Sequence, residues 1–245
     1  MNNENRSILF ALGLLFAIAA VLLAVFSGFG TKWGWWDFKL GLKLLMYSSF
    51  AGAAGLIFSL AGLGFSHMKG PGLLMPVLGA LLSLLITGNF LGRYHAAKQV
   101  PPIHDITTDT QNPPAFDDAI LTLRKGALNP PEYGGPSIAE QQQKAFPDLQ
   151  PLVLSKSFSQ VWEACLKTAR EMKWDIVFAD EPHGRLEATD TTYWFGFKDD
   201  VVIRLAEEKG QTRVDVRSVS RVGKGDVGTN AKRIRKFLER LKKAS

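Results

Sequence analysis

Four acids in the C-terminal half of the chain, Asp190, Asp199, Asp200 and Asp215, are close enough in sequence to act as acid–base groups if burial raises one pKa. Beside them stand Arg204, Arg217 and Arg221, whose planar guanidinium forks suit a carboxylate or an anionic headgroup. Catalysis and anion binding are therefore both open on residue type. The candidate binding set also takes in Thr191, Trp194 and Phe197, then Ser218 and Ser220, and finally Asp226 and Asn230 at the head of the last helical segment.

Other chemistries lack their parts. Cys165 is the one cysteine, and it falls at helical spacing with Phe158, Val161, Trp162, Ala169 and Met172. That pattern predicts a buried, unreactive thiol and leaves no intrachain disulfide. His104-Asp105 is an adjacent acid–base pair without a third ligand or nucleophile in register, so no metal site and no catalytic residue is predicted. Gly223-Lys224-Gly225-Asp226-Val227-Gly228 lacks the Gly-Lys-Ser/Thr ending of a nucleotide loop, and no cofactor is expected. A helix cap from Asp226 or Thr229 is the simpler use of that stretch. The leading expectation is thus a binding or envelope-maintenance module without a reaction of its own. An enzyme using the clustered aspartates and a scaffold docking a protein partner on a sheet edge are the alternatives.

These residues lie on elements that the periodicity predicts between 152 and 245. Short strands are expected at 152–154, 174–178, 185–189, 201–205 and 212–222, with helices after Ser157 and over 229–243. Strands joined by tight turns favour an antiparallel sheet, and the two helices would pack on one face of it, an α+β arrangement. Along Arg213-Val214-Asp215-Val216-Arg217 the period of two sends the valines to one face and the charges to the other. A charged face of this kind is expected to be solvated, its groups pairing across to Asp199, Asp200 and Arg204.

Ahead of this domain, residues 97–151 hold nine of the twelve prolines, so regular elements cannot run far and a connector wrapping the domain is predicted. A short helix is possible over 137–146. Residues 1–96 differ again. Three charge-free apolar runs, at about 8–26, 44–65 and 72–91, are each long enough to cross a bilayer as a helix. In the second run Ala51, Gly55 and Ser59 recur at four-residue intervals, a small-residue stripe that lets helices approach in lipid. The connection carrying Trp33, Trp35 and Trp36 between Lys32 and Lys39 is expected to anchor at the headgroup level. The chain's net charge is +6, and residues 1–96 account for +4 with six basic and two acidic residues. The +2 that remains gives no reason to expect nucleic acid as a partner. Membrane lipid is an expected partner, together with an unknown small ligand or protein. The last helix, with Lys232, Arg233, Arg235, Lys236, Arg240, Lys242 and Lys243 against Glu239, could rest on anionic lipid or be a solvated face.

Three stretches, Glu187-Ala188-Thr189-Asp190-Thr191-Thr192, Trp194-Phe195-Gly196-Phe197-Lys198-Asp199-Asp200-Val201-Val202-Ile203-Arg204 and Arg213-Val214-Asp215-Val216-Arg217-Ser218-Val219-Ser220-Arg221-Val222-Gly223, precede Asp226, Gly228, Asn230 and Arg233. Together they resemble the bacterial and plastid family called domain of unknown function 1499, and Gly34-Trp35-Trp36-Asp37-Phe38 resembles the front end of its multi-span members. The resemblance names no reaction. It implies that the domain works outside the cytoplasm, hence a multi-pass inner-membrane protein with a periplasmic domain. The lysine count argues the other way: Lys32, Lys39, Lys43, Arg93 and Lys98 fall on the domain's side against Arg6 and Lys69.

Overall fold

A computed structural model describes residues 3–64 and 73–244. The chain divides into two compact units, Met1–Ala96 with Tyr193–Gly196, and Ala97–Thr192 with Phe197–Ser245. Lys69, and Phe65 and Gly72 at the ends of two apolar runs, lie outside the described residues.

The first unit contains three helices, α1 (Asn3–Lys32), α2 (Phe38–Gly64) and α3 (Leu74–Lys98). Their 30, 27 and 25 residues exceed the twenty or so that span a hydrocarbon core, and all three are apolar enough to cross a membrane. Burial is inverted relative to a water-soluble bundle. Large side chains such as Leu15, Leu22, Ile57, Leu81 and Leu85 face outward, while the buried positions, Phe10 apart, are small. They include Gly13, Ala17, Ala20, Ala24 and Ser27 in α1 and Ser48, Gly52, Gly55, Ser59 and Gly62 in α2, each series at alternating spacings of four and three. The expected stripe is thus shifted: Gly55 and Ser59 belong to it, but Ala51 is half-buried and Gly52 takes its place. A Cβ on Gly55 would lie 3.0 Å from the Ala17 nitrogen and 3.1 Å from the Gly13 oxygen, so backbone meets backbone there. Lipid tails solvate leucine as well as a neighbouring helix would, and close backbone packing is the contact that remains to be gained.

At the end of α1 the rings of Phe29 and Trp33 stack at 5.4 Å, and Trp33 lies 4.9 Å from Trp35. Trp33 and Trp35 remain more than half exposed, as an interfacial belt requires. The segment Tyr193–Gly196 belongs to this unit. Its Trp194 indole donates to the Val25 carbonyl at 3.1 Å, and the Lys32 ammonium donates to the Tyr193 carbonyl at 3.0 Å.

The second unit is an antiparallel sheet with helices. Its strands are β1 (Asp105–Thr107), β2 (Leu152–Leu154), β3 (Asp175–Asp180), β4 (Arg185–Thr191), β5 (Lys198–Glu208) and β6 (Gln211–Ser220). They run in the order β1-β6-β5-β4-β3, with β2 pairing the other half of β6. Helices α6 (Phe158–Glu171) and α7 (Thr229–Ala244) cover one face. Ser157 begins α6 with a capping box closed by Gln160, and its apolar stripe of Val161, Trp162, Cys165 and Ala169 is buried. That stripe meets Leu186, Val201, Ile203, Val214 and Val216 from the strands and Ile234, Phe237 and Leu241 from α7. Trp174 stacks on Phe237 at 5.2 Å. At the β3–β4 turn Gly184 has φ +63°, and a Cβ there would strike the Leu205 carbonyl, whose own amide bonds back to Gly184.

The proline-rich connector does more than wrap. It supplies β1, the short helices α4 (Asp118–Leu123) and α5 (Pro136–Ala145), and a cover for the second face of the sheet. There Phe116 and Ile120 pack on Val202 and Val219. The buried Gln142 amide of α5 bonds both backbone groups of Thr107, holding β1 in place as a neighbouring strand would.

Candidate functional site

The charge ladder is not solvated. The connector lies over it, so Asp200, Asp215 and Arg217 are at most 2 % exposed, and the expectation of an open charged face is corrected. Asp199 is corrected too: period two sends it to the opposite face from Asp200, where it meets α7 instead of the ladder. The candidate residues therefore fall into two groups on opposite sides of one sheet.

On the ladder face the arginines and acids interlock. Arg217 holds Asp105 in a two-pronged pair at 2.9 and 2.7 Å and donates to the carbonyls of Pro114 and Pro131. Its guanidinium lies over the rings of Phe116 and Tyr133. Burial, then the Asp105 charge, push the Tyr133 phenol up to about 12. Asp200 accepts from Arg124 and Arg221 at 2.7 Å each and from the Thr189 hydroxyl at 2.7 Å. Asp215 lies across from Arg204 in the register and accepts from it at 2.8 Å, with Arg213 and Asp109 completing a four-residue cluster. A surface pair contributes ~0–1 kcal/mol, whereas removing one partner of a buried pair costs ~3–5 kcal/mol. These pairs are therefore part of what holds connector to sheet. Glu187, fully buried, accepts from the Asp117 amide and from Arg185, yet one of its oxygens has no partner among the described residues. Burial raises its pKa against the pull of Arg185.

On the helix face Arg233 reaches from α7 to Asp190 at 2.7 Å and Asp199 at 2.6 Å, and also bonds Ser218 and Asn230. Burial alone would lower its pKa, but the carboxylates of Asp199 and Asp190 more than offset this and raise it. Asn230 donates to the Ser220 hydroxyl and the His104 carbonyl, and the Ser218 hydroxyl donates to Asn230. Asp226 caps α7, its carboxylate accepting from the amides of Gly228 and Asn230 at 2.8 and 2.6 Å. Its pKa is raised, first by burial.

The sheet domain thus gathers Asp190, Asp199, Ser218, Ser220, Asp226 and Asn230 on one side, and Asp200, Arg204, Asp215, Arg217 and Arg221 on the other. Thr191 is exposed at the end of β4 and Phe197 is half-buried, while Trp194 belongs to the helical unit. Among the described residues no three His, Cys, Asp or Glu side chains are grouped to hold a metal ion. Cys165 is buried, and burial pushes its thiol pKa up. Arg233, Arg124, Asp105, Asp109 and Glu187 are members of these networks that the candidate set lacks. Arg233 was the most accessible of them to inference, because Asn230 and Arg233 continue the buried stripe of Ile234, Phe237 and Leu241 toward the start of α7.

One end of the ladder opens to solvent. Beside the Arg213–Asp109 pair lies a cleft of about 480 Å³, lined by Thr108, Gln142, Gln143 and Gln150 among others. The sheet edges are guarded: β1 and β2 are three residues each, and β3 carries a bulge between Ile176 and Phe178 with Asp175 and Asp180 at its ends.

A family model described as protein of unknown function (DUF1499) matches residues 105–241. No curated protein matches the sequence.

Proposed function

The chain belongs to the family described as protein of unknown function (DUF1499), and we propose that it is a membrane-tethered binding module of the bacterial envelope, with no reaction of its own. The observation that carries this reading is that the four aspartates available for acid–base work, Asp190, Asp199, Asp200 and Asp215, are all held by arginine. A carboxylate whose oxygens are taken up by guanidinium N–H groups has no free oxygen aimed at a substrate, as an acid–base group would need.

The ligand position in this reading is the cleft beside Asp109 and Arg213, of a size that suits a small polar molecule. The half-buried Arg204 and the buried Asp215 set the position of Arg213 from behind, and Arg217 anchors the connector that forms one wall. The domain lies on the periplasmic side, as the family resemblance implies, with Lys39 and Lys43 snorkelling from the interface.

Co-purification from mild detergent, with mass spectrometry of bound small molecules and proteins, tests the reading. Gln143→Trp places a large ring in the cleft at an exposed position. Cargo present with the wild type and lost with this variant supports the proposal. The same cargo on both proteins removes the cleft from it, and turnover of any retained molecule removes the non-catalytic reading.

A further inference from the structure

Helix α7 carries seven basic residues and one acid, and the structure separates those with internal work from those without. Arg233 is buried against Asp190 and Asp199, and Arg235 pairs with Asp148 at 2.5 Å. Lys243 holds Glu239, four residues back. Lys232, Lys236, Arg240 and Lys242 remain, and the first three, each four residues from the next, form one stripe along the helix. Lys232 and Lys236 are exposed, and among the described residues neither is in an ion pair.

Local electrostatics oppose this arrangement. Lysines near a helix C-terminus are favoured by the macrodipole, which accounts for Lys242 and Lys243. Lys232 sits in the first turn instead, where the field is positive and the turn itself holds no acid, the Asp226 cap lying ahead of it. Like charges four residues apart also repel. The neighbouring helix α6 and the turn after it add exposed Lys167, Arg170 and Lys173 against Glu163 and Glu171, so this layer does not neutralise the stripe. An external anionic surface relieves both conflicts.

We propose that the outer face of α7, through Lys232, Lys236 and Arg240, binds anionic phospholipid headgroups of the bilayer in which this chain resides. The occupant follows from charge complementarity and from the three apolar helices, which keep any bilayer-facing surface of the chain at high local concentration of lipid. Each basic side chain near such a surface gains modestly, and the gain is lost when salt screens it.

Amine acylation of the full chain in lipid nanodiscs tests this, with modification at each lysine read by mass spectrometry. Phosphatidylcholine discs are compared with discs of phosphatidylcholine and phosphatidylglycerol. Labelling of Lys232 and Lys236 is expected to fall about fivefold in the anionic discs and to recover at high salt. Exposed Lys125 and Lys209 serve as internal references and should not change. Lys232→Gln, which removes one charge of the stripe, should reduce the lipid-dependent protection of Lys236. Equal labelling of Lys232 and Lys236 in both discs overturns the proposal. So does protection that survives high salt or extends equally to Lys125 and Lys209.

Discussion

Replacing Arg217 separates a structural role from a ligand-binding one. Arg217 is 2 % exposed and makes four hydrogen bonds, two to Asp105 and two to carbonyls of the connector. Arg217→Ala leaves Asp105 buried and without its partner, a change that costs ~3–5 kcal/mol. The sheet unit holds roughly 150 residues, for which 1 kcal/mol corresponds to ~2–4 °C, so its melting temperature should fall by about 6 to 20 °C. Arg217→Met combined with Asp105→Leu removes both charges while keeping most of the volume. The two proline carbonyls still lose their donors, at ~1–3 kcal/mol each, so some loss persists. The double variant should nonetheless be more stable than Arg217→Ala. Thermal unfolding of the full chain in detergent, followed through its β-sheet circular dichroism, gives all three values. A shift below about 2 °C for Arg217→Ala, or a double variant less stable than the single one, would refute the reasoning.

Glu187 gives a pH dependence whose sign is fixed by its raised folded pKa. In the window between the ordinary glutamate range and that raised value the folded state binds more protons, so its contribution is present at low pH and lost as pH rises. The melting temperature of wild type minus that of Glu187→Gln should therefore fall as pH goes from acidic to neutral, and a constant difference would contradict this. Ser157→Ala removes the hydroxyl that accepts from the Gln160 amide and should lower stability by ~0.5–2 kcal/mol in the same melts. In the helical unit, Gly55→Val drives a side chain into α1 and should reduce the yield of monodisperse protein in size-exclusion chromatography. Gly88→Val, which meets nothing within 4 Å, should not.

The three membrane helices were legible because twenty-residue apolar runs have few other uses in a folded chain. Which side of each helix is buried was less so. The stripe on α2 alternates spacings of four and three, as left-handed packing demands, and a strict four-residue reading drifts from Gly52 to Ala51. The longer strands and both packing helices followed from period and caps. Strand β1 did not, because three residues carry no period and its partner β6 lies more than a hundred residues away. Nor does α5 announce its anchor, since the group that holds β1 is a glutamine amide and not an apolar stripe.

For the site, alternation placed Arg213, Asp215 and Arg217 on one face. It carried no information about what covers that face, and charged faces are ordinarily wet. The cover comes from the proline-rich connector, whose exposed-looking sequence hides its contribution: carbonyls of Pro114, Asn129 and Pro131 that accept from Arg217 and Arg124. Carbonyl acceptors have no side-chain signature, so the partners of the arginines could not be read from residue types.

Protease added to intact spheroplasts expressing the full chain tests the proposed tether and its orientation together. The account predicts that the sheet domain is degraded while a fragment containing the three helices stays in the membrane pellet. A domain that resists until the spheroplasts are lysed would place it in the cytoplasm, and recovery of the intact chain in the aqueous fraction would contradict the tether itself.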